Sequence, residues 1–97
     1  MDETEALAHE LSERIGSQLL PGWHDSILTQ MRCTGEWDWA VDDLLQGALV
    51  NDIRIEPKLL AKAEKHIADG YFHPDLEERT MGWINQLKEK QAVTAQK

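Results

Sequence analysis

Apolar residues recur at intervals of three and four along nearly the whole chain. That spacing gathers them on one stripe of a helix, whereas on a strand it would scatter them over both faces. The one alternating run, "NDIRIEP" at 51–57, is too short to form a sheet without partners. The sequence is therefore read as all-α: a compact bundle of about five short helices in a single domain. Its 97 residues suffice for one modest core and not for two. The domain is taken as residues 1–90, with 91–97 as a C-terminal tail that has little to bury and is expected to fray.

Glycine and proline punctuate the stripes. The first helix is expected over Glu3–Ile15, with Asp2 and Glu5 at capping-box spacing, Leu7, Leu11 and Ile15 inward, and Gly16 as the stop. After the turn signal "LLPG", a second helix over Trp23–Arg32 carries Trp23, Ile27, Leu28 and Met31. A third over Glu36–Val50 turns Trp37, Ala40, Val41, Leu44, Leu45 and Ala48 inward. Pro57 suits the first position of a fourth helix, because an N–H there would have no intrahelical partner. Leu59, Leu60, Ala63 and Ile67 make its stripe, and Asp69 and Gly70 end it. Pro74 opens a fifth, with Leu76, Thr80, Trp83, Ile84 and Leu87 inward, ending near Lys90.

The charge is one-sided. Net charge is -8, and residues 1–52 hold eleven carboxylates against only Arg14 and Arg32, which leaves -9 in that half. Non-specific nucleic-acid binding needs a basic face to displace phosphate counterions, so the charge argues against it, no nucleic-acid partner is expected and a basic protein is favoured. No run of eighteen apolar residues is present, so no membrane span is expected. The acidic start "MDETEALAHE" is unlike a secretory signal, and a cytoplasmic location is the simplest expectation. Cys33 stands alone, without a disulfide or zinc partner at motif spacing.

Three of the four tryptophans, Trp23, Trp37 and Trp83, fall in register with Leu and Ile and are read as core. Trp39 does not. Advancing about 100° per residue from Trp37 puts Trp39 about 200° away, on the opposite face, among Glu36, Asp42 and Asp43 with Gln46 one turn on. Three readings compete: another segment folds over that face, Trp39 is an idle exposed aromatic, which is unusual for so large an apolar side chain, or it anchors a protein interface whose carboxylate rim steers a cationic partner. The partner interface read from sequence is Glu36, Asp38, Trp39, Asp42, Asp43 and Gln46. No base lies between Gly35 and Asp52 to relieve repulsion among these acids, and a basic partner would relieve it.

Catalytic patterns are not found. "AHELSE" carries Glu13 where a zinc protease would have its second histidine, and no phosphate loop or nucleophile elbow occurs. His24, His66 and His73 are read as surface or cap residues. No enzyme activity, cofactor or metal is expected.

The segment "GEWDWAVDDLLQGALVNDIRIEPKLL" resembles the Gly-Glu-aromatic-x-x-Ala-x-x-x-Leu core, extended link and following helix of small helical immunity proteins of polymorphic toxin systems, the Maf-type immunity proteins in particular. Gly35, Glu36, Trp37, Ala40 and Leu44 carry the match, and the shared layout covers about residues 24–67. The resemblance implies a cytoplasmic antitoxin that binds a secreted toxin domain and blocks its active site. A basic nuclease toxin would suit the acidic helix, and the free antitoxin would be a monomer. The competing reading is a helical adaptor or regulatory protein that homodimerises through Trp83 or through Tyr71 and Phe72.

Overall fold

The computed structural model describes residues 3–19, 22, 23, 25–27, 29 and 37–95, and these form an all-helical single globule with no strand among them. The elements are α1 (Glu3–Ile15), a 3-10 turn (Gly16–Gln18), α2 (Trp37–Val50), α3 (Pro57–Ala68) and α4 (Pro74–Ala95). Residues 22, 23, 25–27 and 29 are also helical, where the sequence places the second of its five helices.

Helix α2 is the centre. It packs against α1 on one side and α4 on another, while α3 closes on α4 and α1. The stripes predicted for these helices are the core: Leu7, Leu11 and Ile15 of α1, Ala40, Val41, Leu44, Leu45 and Ala48 of α2, and Leu76, Ile84 and Leu87 of α4 are all buried. On a third side, Leu19 and Trp23 lie against Gly47 so closely that a Cβ there would sit 2.9 Å from Leu19 Cδ2 and 3.4 Å from Trp23 Cε2. Glycine inside a helix costs about 1 kcal/mol in propensity, and here it lets both side chains approach the helix backbone.

Both central helices end in the same way. After α3, the Gly70 N–H donates to Ile67 O and the Tyr71 N–H to His66 O, with Gly70 at φ +83, a left-handed C-terminal cap. After α2, the Ile53 N–H donates to Ala48 O around Asp52, which takes φ +60 without being glycine. The alternating "NDIRI" then runs as an extended link, with Ile53 and Ile55 buried and Arg54 exposed between them.

Two expectations need correction. Helix α4 runs to Ala95 rather than ending near Lys90. Part of the reason is Gln91, whose Oε1 accepts the Ile55 N–H at 2.9 Å and so ties the end of α4 to the link. Of the surface or cap role expected for His66, the fold keeps the cap and not the surface, for the side chain is buried at 8% exposure. Its Nδ1 is 3.1 Å from Lys62 O, so Nδ1 carries the donated proton. Its ring meets that of Tyr71 at 5.2 Å, the hydrophobic contact that accompanies this type of cap. Met31 and Leu28 lie outside the described residues.

Candidate functional site

The site begins at the N-terminus of α2. Asp38 accepts the Trp39 N–H on Oδ1 at 2.9 Å and the His73 N–H on Oδ2 at 3.1 Å. The first N–H groups of a helix have no intrahelical acceptor, and a carboxylate there also meets the favourable end of the helix dipole. Asp38 therefore joins the start of α2 to the start of α4. At that second start, His73 Nδ1 accepts the Asp75 N–H at 3.2 Å, so Pro74 follows a capping histidine. A ring nitrogen acting as acceptor carries no proton, so the neighbouring 3.7 Å approach to Asp75 Oδ2 is not an ion pair in this arrangement.

One turn further on, Asp42 is completely buried. This corrects the expectation of a solvated interface acid. Its Oδ1 accepts from Thr80 Oγ1 at 2.8 Å and from Trp83 Nε1 at 3.0 Å. Its Oδ2 lies 3.1 Å from Arg79 Nη2, a charge contact that falls short of an aligned hydrogen bond. The same guanidinium donates to Gln46 Oε1 at 3.2 Å and lies over the Trp83 ring. Burying a carboxylate without such partners would cost several kcal/mol. With them, Asp42 becomes the polar connection between α2 and α4.

Asp43 faces the other way. It is partly exposed and makes no hydrogen bond or ion pair with another described residue. Burial pushes its carboxyl above the usual carboxylate range, the Asp42 charge pushes it further, and Arg79 pulls it back. It borders an open groove with Gly22, Trp23, Ser26 and Ile27.

Trp39 is neither free nor swallowed. It is partly exposed and packed against the core. Trp23, Trp37 and Trp83, read from sequence as core, are placed in the same way, at the margin of the apolar cluster. Trp37, at the first position of α2, sets its ring 5.3 Å from that of His9 on α1. The contrast drawn in the sequence between Trp39 and the other three is therefore absent from the fold. An indole is too large to fit wholly within so small a core, and each ring covers an edge.

Of the six interface residues read from sequence, Glu36 lies outside the described residues. Asp42 is buried. Asp38 and Gln46 are held by intramolecular hydrogen bonds. Trp39 and Asp43 remain partly open, on a line along α2 that ends at Val50, itself 63% exposed. Arg79, Thr80 and Trp83 were missed as partners of Asp42. Thr80 within an apolar stripe, three residues before an indole whose N–H must find an acceptor, was the available signal. Phe72, named for a dimer face, is buried, while Tyr71 is exposed.

Among the described residues no group of three or more His, Cys, Asp or Glu side chains is placed to hold a metal, and no helix is long and apolar enough to cross a membrane. No protein family, curated protein or solved structure matches this chain.

Proposed function

We propose that this protein is an antitoxin of the immunity-protein kind, which binds a basic toxin domain through the outward line of α2 and acts by occupying the toxin's surface rather than by catalysis. The observation that carries the reading is that partly exposed Trp39 stands one turn from Asp43, which has no hydrogen-bond or ion-pair partner among the described residues, on a helix whose half of the chain has a charge of -9. Tryptophan supplies large contact area at the centre of interfaces, and carboxylates around it raise the rate of encounter with a cationic surface. Asp42 supports the line from beneath and touches no partner.

Growth rescue tests the reading. The protein is co-expressed with a toxic basic domain encoded beside it, and protection together with a purified one-to-one complex is the expected result. Trp39→Ala weakens that complex by about 2 kcal/mol or more, roughly thirtyfold. Because Trp39 also packs on the core, the variant's thermal unfolding is measured alongside. Asp43→Lys, which reverses a charge without removing packing, provides a second loss of binding. A complex indifferent to both substitutions, or failure to protect against any such domain, overturns the proposal.

A further inference from the structure

The second flank of α2 carries a more specific feature. The groove beside Asp43 is an open hollow of about 640 Å³ lined by Gly22, Trp23, Ser26, Ile27 and Asp43. Its base is firm: Ile27 is only 2% exposed, and Trp23 is seated against Gly47, its ring 3.4 Å from where a Cβ would stand. One wall is an indole, and among the described residues the single charge on the lining is a carboxylate. The nearest cation by its effect on Asp43 is Arg79, which is already engaged with Gln46 and Asp42 on the opposite flank. Among the described residues no hydrogen bond or ion pair engages Asp43, and Arg79 offsets its charge only from a distance.

We propose that this groove is a socket for one arginine side chain projecting from a basic protein partner, its guanidinium held between the Trp23 indole and the Asp43 carboxylate. Arginine is favoured over lysine by chemistry. A planar, weakly hydrated guanidinium stacks on an aromatic face while giving two parallel N–H bonds to a carboxylate, whereas an ammonium does neither well. The surplus of acids in residues 1–52 supplies the long-range attraction. The raised Asp43 carboxyl fits a group that gains by pairing with a cation. The inference deepens the antitoxin reading and rests on it for the identity of the partner, but the socket itself can be probed without one.

The probe is N-acetyl-arginine amide, titrated into the isotope-labelled full chain and followed by nuclear magnetic resonance. The neutral isostere N-acetyl-citrulline amide serves as control. The expected result is saturable shifts at the Trp23 indole N–H and at the Ser26 and Asp43 amides, with a Kd of about 1–10 mM. Binding is at least about tenfold weaker for the citrulline compound or in Asp43→Asn, and unchanged in Asp75→Asn, an exposed acid elsewhere on the surface. The spectrum of each variant reports its fold directly. Absence of saturation below about 100 mM, equal binding of citrulline, or shifts centred outside the groove overturns the socket. The two proposals fail separately. A toxin complex that survives Asp43→Asn but not Trp39→Ala removes the socket alone, while arginine binding without protection against any toxin removes the antitoxin reading alone.

Discussion

Asp42 and Asp43 are adjacent, chemically identical and set on the same turn of one helix, yet the fold treats them in opposite ways. Asp42 has no exposure, and its carboxylate is met by Thr80, Trp83 and Arg79. Asp43 is partly exposed and has no such partners among the described residues. A rotation of about 100° between neighbours is enough to point one toward α4 and the other toward the groove beside Trp23. In an acidic helix, then, the number of carboxylates says little about how many are available to a partner. What the neighbouring helix offers in hydrogen-bond donors decides which acid is structural and which is left partly exposed.

The sharpest way to break this contrast is Asp42→Ala. It leaves the buried Thr80 hydroxyl and the partly buried Trp83 N–H without their acceptor and removes the counter-charge of Arg79, so a loss of about 3–5 kcal/mol is expected. For a domain of this size that lowers Tm by more than about 10 °C, measurable by calorimetry. A loss below about 1 kcal/mol would mean that water reaches the carboxylate and that the two aspartates are more alike than the geometry indicates. Thr80→Val is milder. It withdraws one of the donors and keeps the shape, so about 1–2 kcal/mol is expected, with the remaining bond from Trp83 and the Arg79 charge still holding Asp42. The exposed pair of Lys62 with Glu10, at 3.0 Å, gives the scale for ion pairs outside the network. Lys62→Met should change stability by less than about 1 kcal/mol.

The helical layout was legible because each amphipathic stripe repeats its message every turn. Leu7, Leu11 and Ile15, or Leu59, Leu60 and Ala63, point inward whatever the neighbouring helix turns out to be. The ends were legible for the same local reason at Gly70 and at Pro74, where backbone chemistry alone decides. The site was only partly readable. Asp42 looked like a surface acid because its own helix gives no hint of the donors that meet it, which come from Thr80 and Trp83 nearly forty residues later in the chain. A helical projection locates a face but not what covers it, and α2 is covered on three sides. The tryptophans show the same limit. Register set three apart as core, yet all four end partly exposed at its margin, because the room available to an indole depends on the packing of several helices at once. Glu36 lies outside the described residues, so its expected place on the site is carried by the sequence alone.

The smallest expected effect is the most diagnostic for the other half of the pair. Because the folded chain raises the Asp43 carboxyl above its ordinary range, the native state holds a proton that the unfolded chain, with a pKa of about 3.9, has already begun to release. Within that window the native state binds more protons than the unfolded state, so this group makes stability fall as pH rises through the window. Its favourable contribution is fully present below the unfolded pKa and is lost by the time pH passes the raised folded value. Asp43→Asn removes the titration and the repulsion from Asp42 together. The difference in Tm between variant and parent should therefore be smallest near pH 3, grow in favour of the variant as the pH rises, and level off above the raised value. The same substitution is expected to abolish arginine binding in the groove. A variant that gains stability at neutral pH while losing its ligand is the pattern of a residue kept for binding at the expense of the fold; a variant that loses both would instead place Asp43 with Asp42, as part of the structure.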